Sequence, residues 1–224
     1  ASDVDMDAPQ GWDIQTGSAS IIIAVIDDGI DYNHPDLDGK LWTNPGEIAG
    51  NGIDDDGNGY VDDVRGWDFG TDDNDVMHRT ASDGHGTATA GIAAAESNNA
   101  QGVAGTAWGV TIMPLKVEDA GGNIYDSYIA EAITYAADNG AHVLSMSLGG
   151  AASSTTLSDA CTYGWTTKGK VLVAATGNEN TSISYPAAYP TTIAVGASNE
   201  YDVRAGFSNY GPEVDVVAPG VNIY

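Results

Sequence analysis

Near its start the chain passes from polar and small residues into one unbroken apolar run, Ile21-Ile22-Ile23-Ala24-Val25-Ile26. The run does not alternate, so the strand it predicts is buried on both faces, as in a parallel sheet. It stops at Asp27-Asp28-Gly29, at the carboxyl end of the strand, where open parallel sheets assemble their chemistry. From about Asn33 to Asp83 the chain is rich in Asp, Gly and Asn and shows no period. An irregular excursion of that length inside a compact domain points to function. Order returns with a small-residue helix over Gly86 to Glu96 and a strand over Val110 to Val117. Asp126 is placed to cap a helix whose Ile129, Ile133, Ala136 and Ala137 share one face and which stops at Gly140. A strand opens at Val143-Leu144 and ends at Ser147-Leu148-Gly149, followed by a helix from about Thr156 to Lys168. Strands over Val171 to Ala175, Thr192 to Ala197 and Val214 to Ala218 complete the series. Strand and helix alternate, which predicts an α/β fold of three layers, a mostly parallel central sheet with helices on both faces. No repeat or linker interrupts residues 1–224, so they read as one domain.

Composition narrows the function. The 224 residues carry 32 acids and 7 bases, a formal charge of −25. Four Lys and three Arg cannot form the basic stripe that phosphate backbones or anionic membranes require, which argues against nucleic-acid and membrane partners. No apolar run approaches the roughly 20 residues of a membrane span. Between Asp27 and Asp83 there are 16 acids against three bases, so about half the net charge lies in a quarter of the chain. Those carboxylates are either solvated or share cations. Cys161 is the only cysteine, which rules out an intrachain disulfide and reads as a small buried hydrophobe.

Three clusters stand at element boundaries: Val25 to Asp31, Asp83-Gly84-His85-Gly86-Thr87, and Ala174 to Glu179. Each alone fits ordinary turn and cap chemistry. Together they offer an Asp to orient an imidazole, a His to take a proton, and an Asn amide to meet an oxyanion, three of the four parts of acyl transfer.

In this order the clusters resemble the subtilisin-like serine proteases, the subtilases. The resemblance covers essentially the whole chain. It includes Asp27-Asp28-Gly29, His34-Pro35-Asp36-Leu37, Gly84-His85-Gly86-Thr87, Ser145 to Gly150, Gly177-Asn178-Glu179, Phe207-Ser208-Asn209 and Val217-Ala218-Pro219-Gly220. It implies a serine endopeptidase in which Asp27 orients His85, His85 is the general base and then the acid, and Asn178 stabilises the oxyanion. It also implies that Ser147, Leu148 and Gly149, with Ala175, Thr176 and Gly177, form substrate-binding walls of broad specificity for large apolar P1 residues. Glu179 would add tolerance for basic P1, and backbone from about Asp119 to Asn123 would pair with an extended polypeptide substrate. A secreted, extracellular location follows from the resemblance, and the start at Ala1 without an apolar leader fits a trimmed form.

Two departures concern the site. Asp28 stands where the family usually has Ser or Thr, and Ala88-Thr89 replaces a common His-Val, which reads as a packing matter. The third is larger. The family's Gly-Thr-Ser segment, which follows the Ala-Pro-Gly motif, occurs nowhere in the chain, and Ser145 and Ser147 belong to the substrate strand. The chain is therefore expected to lack its nucleophile and to be an incomplete catalytic domain, inactive without a C-terminal remainder. That remainder, or a propeptide, is an expected partner, and a nick after Tyr224 is one expected origin of the end. The rival from another class is an inactive calcium-binding subtilase module acting through protein interaction. A Mg²⁺-dependent phosphotransfer site on Asp27-Asp28 leaves His85 and Asn178 without a role.

The excursion carries a metal pattern. Asp54, Asp56, Asn58, Tyr60 (through its carbonyl) and Asp62 fall at positions 1, 3, 5, 7 and 9 of a calcium loop, with Gly59 at the turn. Position 12 is Arg65 rather than a bidentate Glu, so Asp63 or the Asp72-Asp73-Asn74-Asp75 run is expected to supply missing oxygens. The resemblance implies a second Ca²⁺ site on Asp36 and the Asn98 to Val103 turn, completed by Asp3 or Asp5.

Overall fold

The apolar run becomes the middle of a sheet. In a computed structural model describing residues 6–80 and 83–223, strand β1 (Ile22–Asp27) has its last four residues buried. It is joined by β2 (Trp67–Asp68), β3 (Thr111–Lys116), β4 (Val143–Met146), β5 (Val171–Ala175), β6 (Ile193–Ser198) and β7 (Val216–Pro219). The spatial order is β2-β3-β1-β4-β5-β6-β7, and every pairing is parallel.

Helices α1 (Ala8–Trp12), α2 (His85–Ala94), α3 (Asp126–Asp138) and α4 (Thr155–Thr162) accompany the strands. On one face α3 and α4 seal Ala24, Ile26, Met113, Leu115, Leu144, Met146, Leu172 and Ala174 into a hydrophobic core. On the other, α2 covers Val25 and Ile112 with Ala90 and Ala94. These layers give the expected three-layer α/β arrangement. The α2 face stays open farther along the sheet. Val173, Ile193 and Val195 are only half-buried, and Val171 is 38% exposed.

Four features differ from expectation. The excursion contains β2, two residues too short to leave a period, joined to β3 by a buried ion pair of Lys116 Nζ with Asp68 at 2.7 Å. The short α1 has no counterpart in the pattern. Helix α3 is capped at Tyr125, in extended conformation and without a side-chain cap, while Asp126 sits in the first turn, where its charge favours the helix dipole. The next helix ends as α at Thr162 and continues as one wide π turn, Tyr163–Thr167.

The excursion is anchored by aromatic rings. Tyr60 meets Trp67 and Tyr135 edge-on, each at 5.1 Å, and Phe69 meets Tyr135 at 5.8 Å. Beneath them the carboxylate of Asp63, fully buried, accepts from Asn44 Nδ2 at 2.8 Å, from Asn58 Nδ2 at 2.9 Å and from the Tyr135 hydroxyl. A buried carboxylate is tolerated only with such partners. Asp63 is thus a tie holding the acidic segment to α3.

Candidate active site

β1 delivers its carboxylates to the sheet's carboxyl edge with β3 on one side and β4 on the other, so the chain leaves and re-enters the sheet around them. The turn that follows requires glycine: Gly29 has φ 116°, and a Cβ there would lie 2.7 Å from the His78 backbone nitrogen. Asp27 is 4% exposed. Its Oδ1 accepts from His85 Nδ1 at 2.7 Å and from the Asp28 N–H at 2.8 Å, and its Oδ2 shares the Thr89 hydroxyl, at 3.4 Å, with the Gly86 carbonyl at 3.1 Å. His85 is the first residue of α2. With Nδ1–H committed to a carboxylate, the neutral ring leaves Nε2 as the acceptor. The hydrogen bond to Asp27 raises the His85 pKa above its ordinary 6.5; burial opposes this, and the charges of Asp27 and Asp28 add to it.

His85 opens onto a cavity of about 370 Å³ that also presents Ser147, Ala175, Thr176, Gly177 and Asn178. Asn178 is exposed, and among the described residues its side-chain amide has no hydrogen-bond partner. Its backbone is fixed from behind. Asn209, 1% exposed, accepts from the Glu179 and Thr181 N–H groups, each at 3.0 Å, and donates to the Thr176 carbonyl at 3.0 Å and to Glu179 Oε2 at 2.9 Å. Glu179 Oε2 also takes the Asn178 N–H at 2.9 Å, so this carboxylate braces the segment and does not line the cavity.

The other residues expected to meet substrate divide. Leu148 packs against the main core, and Gly149 lies beside the Tyr185 carbonyl; neither lines the cavity. From Asp119 to Asn123 the N–H groups of Asp119, Gly121, Gly122 and Asn123 are used within a turn closed by Asp119. Two serines line the cavity. Ser208 Oγ accepts from the Ala197 N–H at 3.0 Å and faces the Asn209 carbonyl, while no hydrogen bond joins Ser147 or Ser208 to His85 among the described residues. Cys161 is fully buried, and burial pushes its thiol up to about 11, in keeping with its reading as a hydrophobe.

An imidazole held by a buried carboxylate thus shares a cavity with an unengaged amide. Residues 18–224 match the model of the subtilase family. The chain belongs to that family. It is 47% identical over 213 residues to the thermophilic serine proteinase of Bacillus sp. (strain AK1), an alignment covering 95% of this chain and 47% of the relative. To thermitase of Thermoactinomyces vulgaris it is 44% identical over 218 residues, 97% of this chain and 68% of the relative. To the halolysin-like extracellular serine protease Nep of Natrialba magadii it is 38% identical over 213 residues, 95% and 36% respectively. The chain thus spans about half the length of the first of these relatives and about two thirds of the second.

Of the residues the calcium pattern names, Asp54 and Asp56 come together, and Glu47 joins them. Glu47, Asp54 and Asp56 each offer a carboxylate oxygen within 4.8 Å of the others. Asn58 instead turns its amide to Asp56 and Asp63. Tyr60 contributes its ring to the aromatic anchor. The Asp62 carboxylate accepts from the Gly50, Asn51 and Gly52 N–H groups at 2.8, 3.1 and 2.8 Å, closing a neighbouring turn. Asp63 is spent on Asn44, Asn58 and Tyr135, and the expected filling from Asp72 to Asp75 is replaced by Glu47. Three hard carboxylates fit Ca²⁺ by donor chemistry. At the second expected site, Asp36 accepts from Asn99 Nδ2 at 2.6 Å and the Val103 N–H at 2.9 Å, whereas exposed Asn98 makes no hydrogen bond to it. Asp3 and Asp5 lie outside the described residues, as does Tyr224.

Sequence reading missed Thr89, Asn209 and Glu47. Thr89 carried a signal: four residues after His85 on a helix, it shares the histidine's face. Asn209 lay in a matched stretch but without a role, since it acts on residues about thirty positions away, and Glu47 carried no signal.

Proposed function

We propose that this chain is the larger part of a subtilase catalytic domain whose protein hydrolyses peptide bonds through an Asp27–His85–serine triad, with the serine on a segment following residue 224. The single observation that carries this is the Asp27–His85 hydrogen bond at 2.7 Å, facing Asn178 across a shared cavity. In the reaction, His85 Nε2 takes the serine proton as the oxygen bonds to the substrate carbonyl carbon. Asp27 stabilises the imidazolium, and the Asn178 amide donates to the developing oxyanion. His85 then returns the proton to the leaving amine as the C–N bond breaks, and water releases the acyl group by the same route.

The open α2 face supports a following segment. Fully burying a Val or Ile side chain contributes about 1.5–3 kcal/mol. Covering Val171, Val173, Ile193 and Val195 would therefore add several kcal/mol, comparable with the net stability of a domain. The small cavity walls Ser147, Ala175, Thr176 and Gly177 support large apolar P1 residues of polypeptide substrates. Glu47, Asp54 and Asp56 would hold one Ca²⁺, and Asp36 with the 98–103 turn a second. Secretion is supported by the word extracellular in a relative's name. Among the described residues no helix is long and apolar enough to cross a membrane.

A fluorophosphonate probe on the full-length protein tests the reading. Expected is labelling of one serine beyond residue 224, lost on heat denaturation, together with peptide hydrolysis. A folded protein that neither labels nor hydrolyses peptides overturns the protease and leaves the interaction module.

A further inference from the structure

We propose that Asp28 is a positioning residue for the general base: reaching from the end of β1, its carboxylate caps helix α2 and fixes the backbone from which His85 projects. The functional meaning of this inference rests on the protease reading above; its geometry does not.

Helix α2 begins after Gly84, which has φ 135° and no side chain to accept from the helix's first N–H groups. Those groups need an acceptor, and the usual one is the residue before the helix. Here it comes from another element. Asp28 Oδ2 accepts from the N–H groups of Gly84 at 3.2 Å and His85 at 3.1 Å, and Oδ1 accepts from Gly86 at 2.7 Å. One carboxylate thus satisfies three donors at the positive end of a ten-residue helix, where a negative charge is also favoured by the dipole. The fit is close. A Cβ on Gly86 would lie 2.3 Å from the Gly29 carbonyl, 3.0 Å from Asp27 Cβ and 3.1 Å from Asp28 Oδ1.

The two consecutive carboxylates therefore act on one residue in different ways, Asp27 holding the imidazole of His85 and Asp28 its main chain. The Ser or Thr usual at this position offers one oxygen and no charge. The charged groups facing His85 are Asp27 and Asp28 of the β1 end, while Asp83, just upstream, is turned to Arg79 and the Thr80 N–H. Both facing carboxylates favour the imidazolium, so removing one moves the His85 titration down in pH.

The test uses D28N and D28A in the full-length protein, with amide exchange at residues 84–86, NMR titration of His85, and the pH profile of kcat/KM. Loss of a helix cap is expected to speed exchange at His85 and Gly86 about tenfold in D28A, and by less in D28N, which keeps one acceptor. In both variants the His85 titration and the acid limb of kcat/KM are expected to move to lower pH, with kcat falling more than KM rises. If D28A does not fold, D28N alone decides through its titration. Unchanged exchange at residues 84–86 with an unmoved His85 titration in D28N overturns the proposal. Should the wild-type protein fail to hydrolyse peptides while exchange and titration respond as stated, the protease reading fails and the link from Asp28 to α2 stands.

Discussion

At the end of β1 and in the acidic excursion, carboxylates gather for opposite ends. Asp27 and Asp28 converge on the start of a single helix, and their oxygens are matched to an imidazole, a hydroxyl and backbone N–H groups. Glu47, Asp54 and Asp56 converge on one another, and among the described residues none of them forms an ion pair with a basic side chain. The first pair has its donors within the chain, supplied by a sheet edge and a helix. The second group also accepts from N–H groups of its own loop, those of Gly57, Asn58 and Gly59 on Asp54 and those of Asp55, Asp56 and Asp62 on Glu47. Yet it keeps three like-charged carboxylates together, an arrangement a cation would relieve. Both stretches are rich in aspartate, so composition does not separate them. The difference lies in which backbone arrives opposite the side chains. Asp63 stands between the two cases, chemically part of the acidic loop yet buried and fully matched.

The sharpest test of that contrast removes the charge at the β1 end. On the proposed mechanism, D27N in the full-length protein lowers kcat by about 10⁴, because the wrong imidazole tautomer is held. The melting temperature should change little, and a large drop there would mean that Asp27 serves the fold first. Truncating the matched carboxylate of the loop should do the reverse. D63A leaves Asn44, Asn58 and Tyr135 without their buried acceptor and is expected to cost about 3 kcal/mol, or roughly 6–12 °C in Tm for a chain of this size. Its kcat, measured well below the melt, should stay within about twofold.

Calcium comes next in size. If Glu47, Asp54 and Asp56 hold an ion, a chelator should lower Tm by about 5–10 °C, the linkage expected near 100 Kd. An unchanged melting curve would leave the loop a solvated turn. Asp54 is held below its ordinary pKa, chiefly by the Gly59 N–H and further by those of Gly57 and Asn58.

The smallest effect is on pH. His85 has a folded pKa above its ordinary 6.5. Its contribution to stability is therefore fully present below about pH 6.5 and lost as pH rises through the folded value. Activity runs the other way, since only the neutral ring accepts the serine proton. A pH profile of kcat/KM should show an acid limb above 6.5, and a limb below it would contradict the strength of the Asp27 contact.

What the sequence determined by itself is local or repeated along the chain. The unbroken Ile21 to Ile26 run determined a strand buried on both faces, and the spacing of Ile129, Ile133, Ala136 and Ala137 determined the buried face of α3. The order of the Asp27, His85 and Asn178 clusters pointed to the family before any contact was known. Tertiary structure decided the rest. It set Asp28 as the cap of a helix 57 residues on, turned Thr89 from packing to a hydroxyl on Asp27, and made Asn209 the brace behind Asn178. It also brought Glu47 beside Asp54 and Asp56 and turned the Asp62 oxygens to three N–H groups of a turn ten to twelve residues earlier. The physical reason is the same throughout. Periodicity records which side of an element is buried, whereas a hydrogen bond needs a donor and an acceptor brought within about 3 Å. Only the packing of distant elements fixes which two those are.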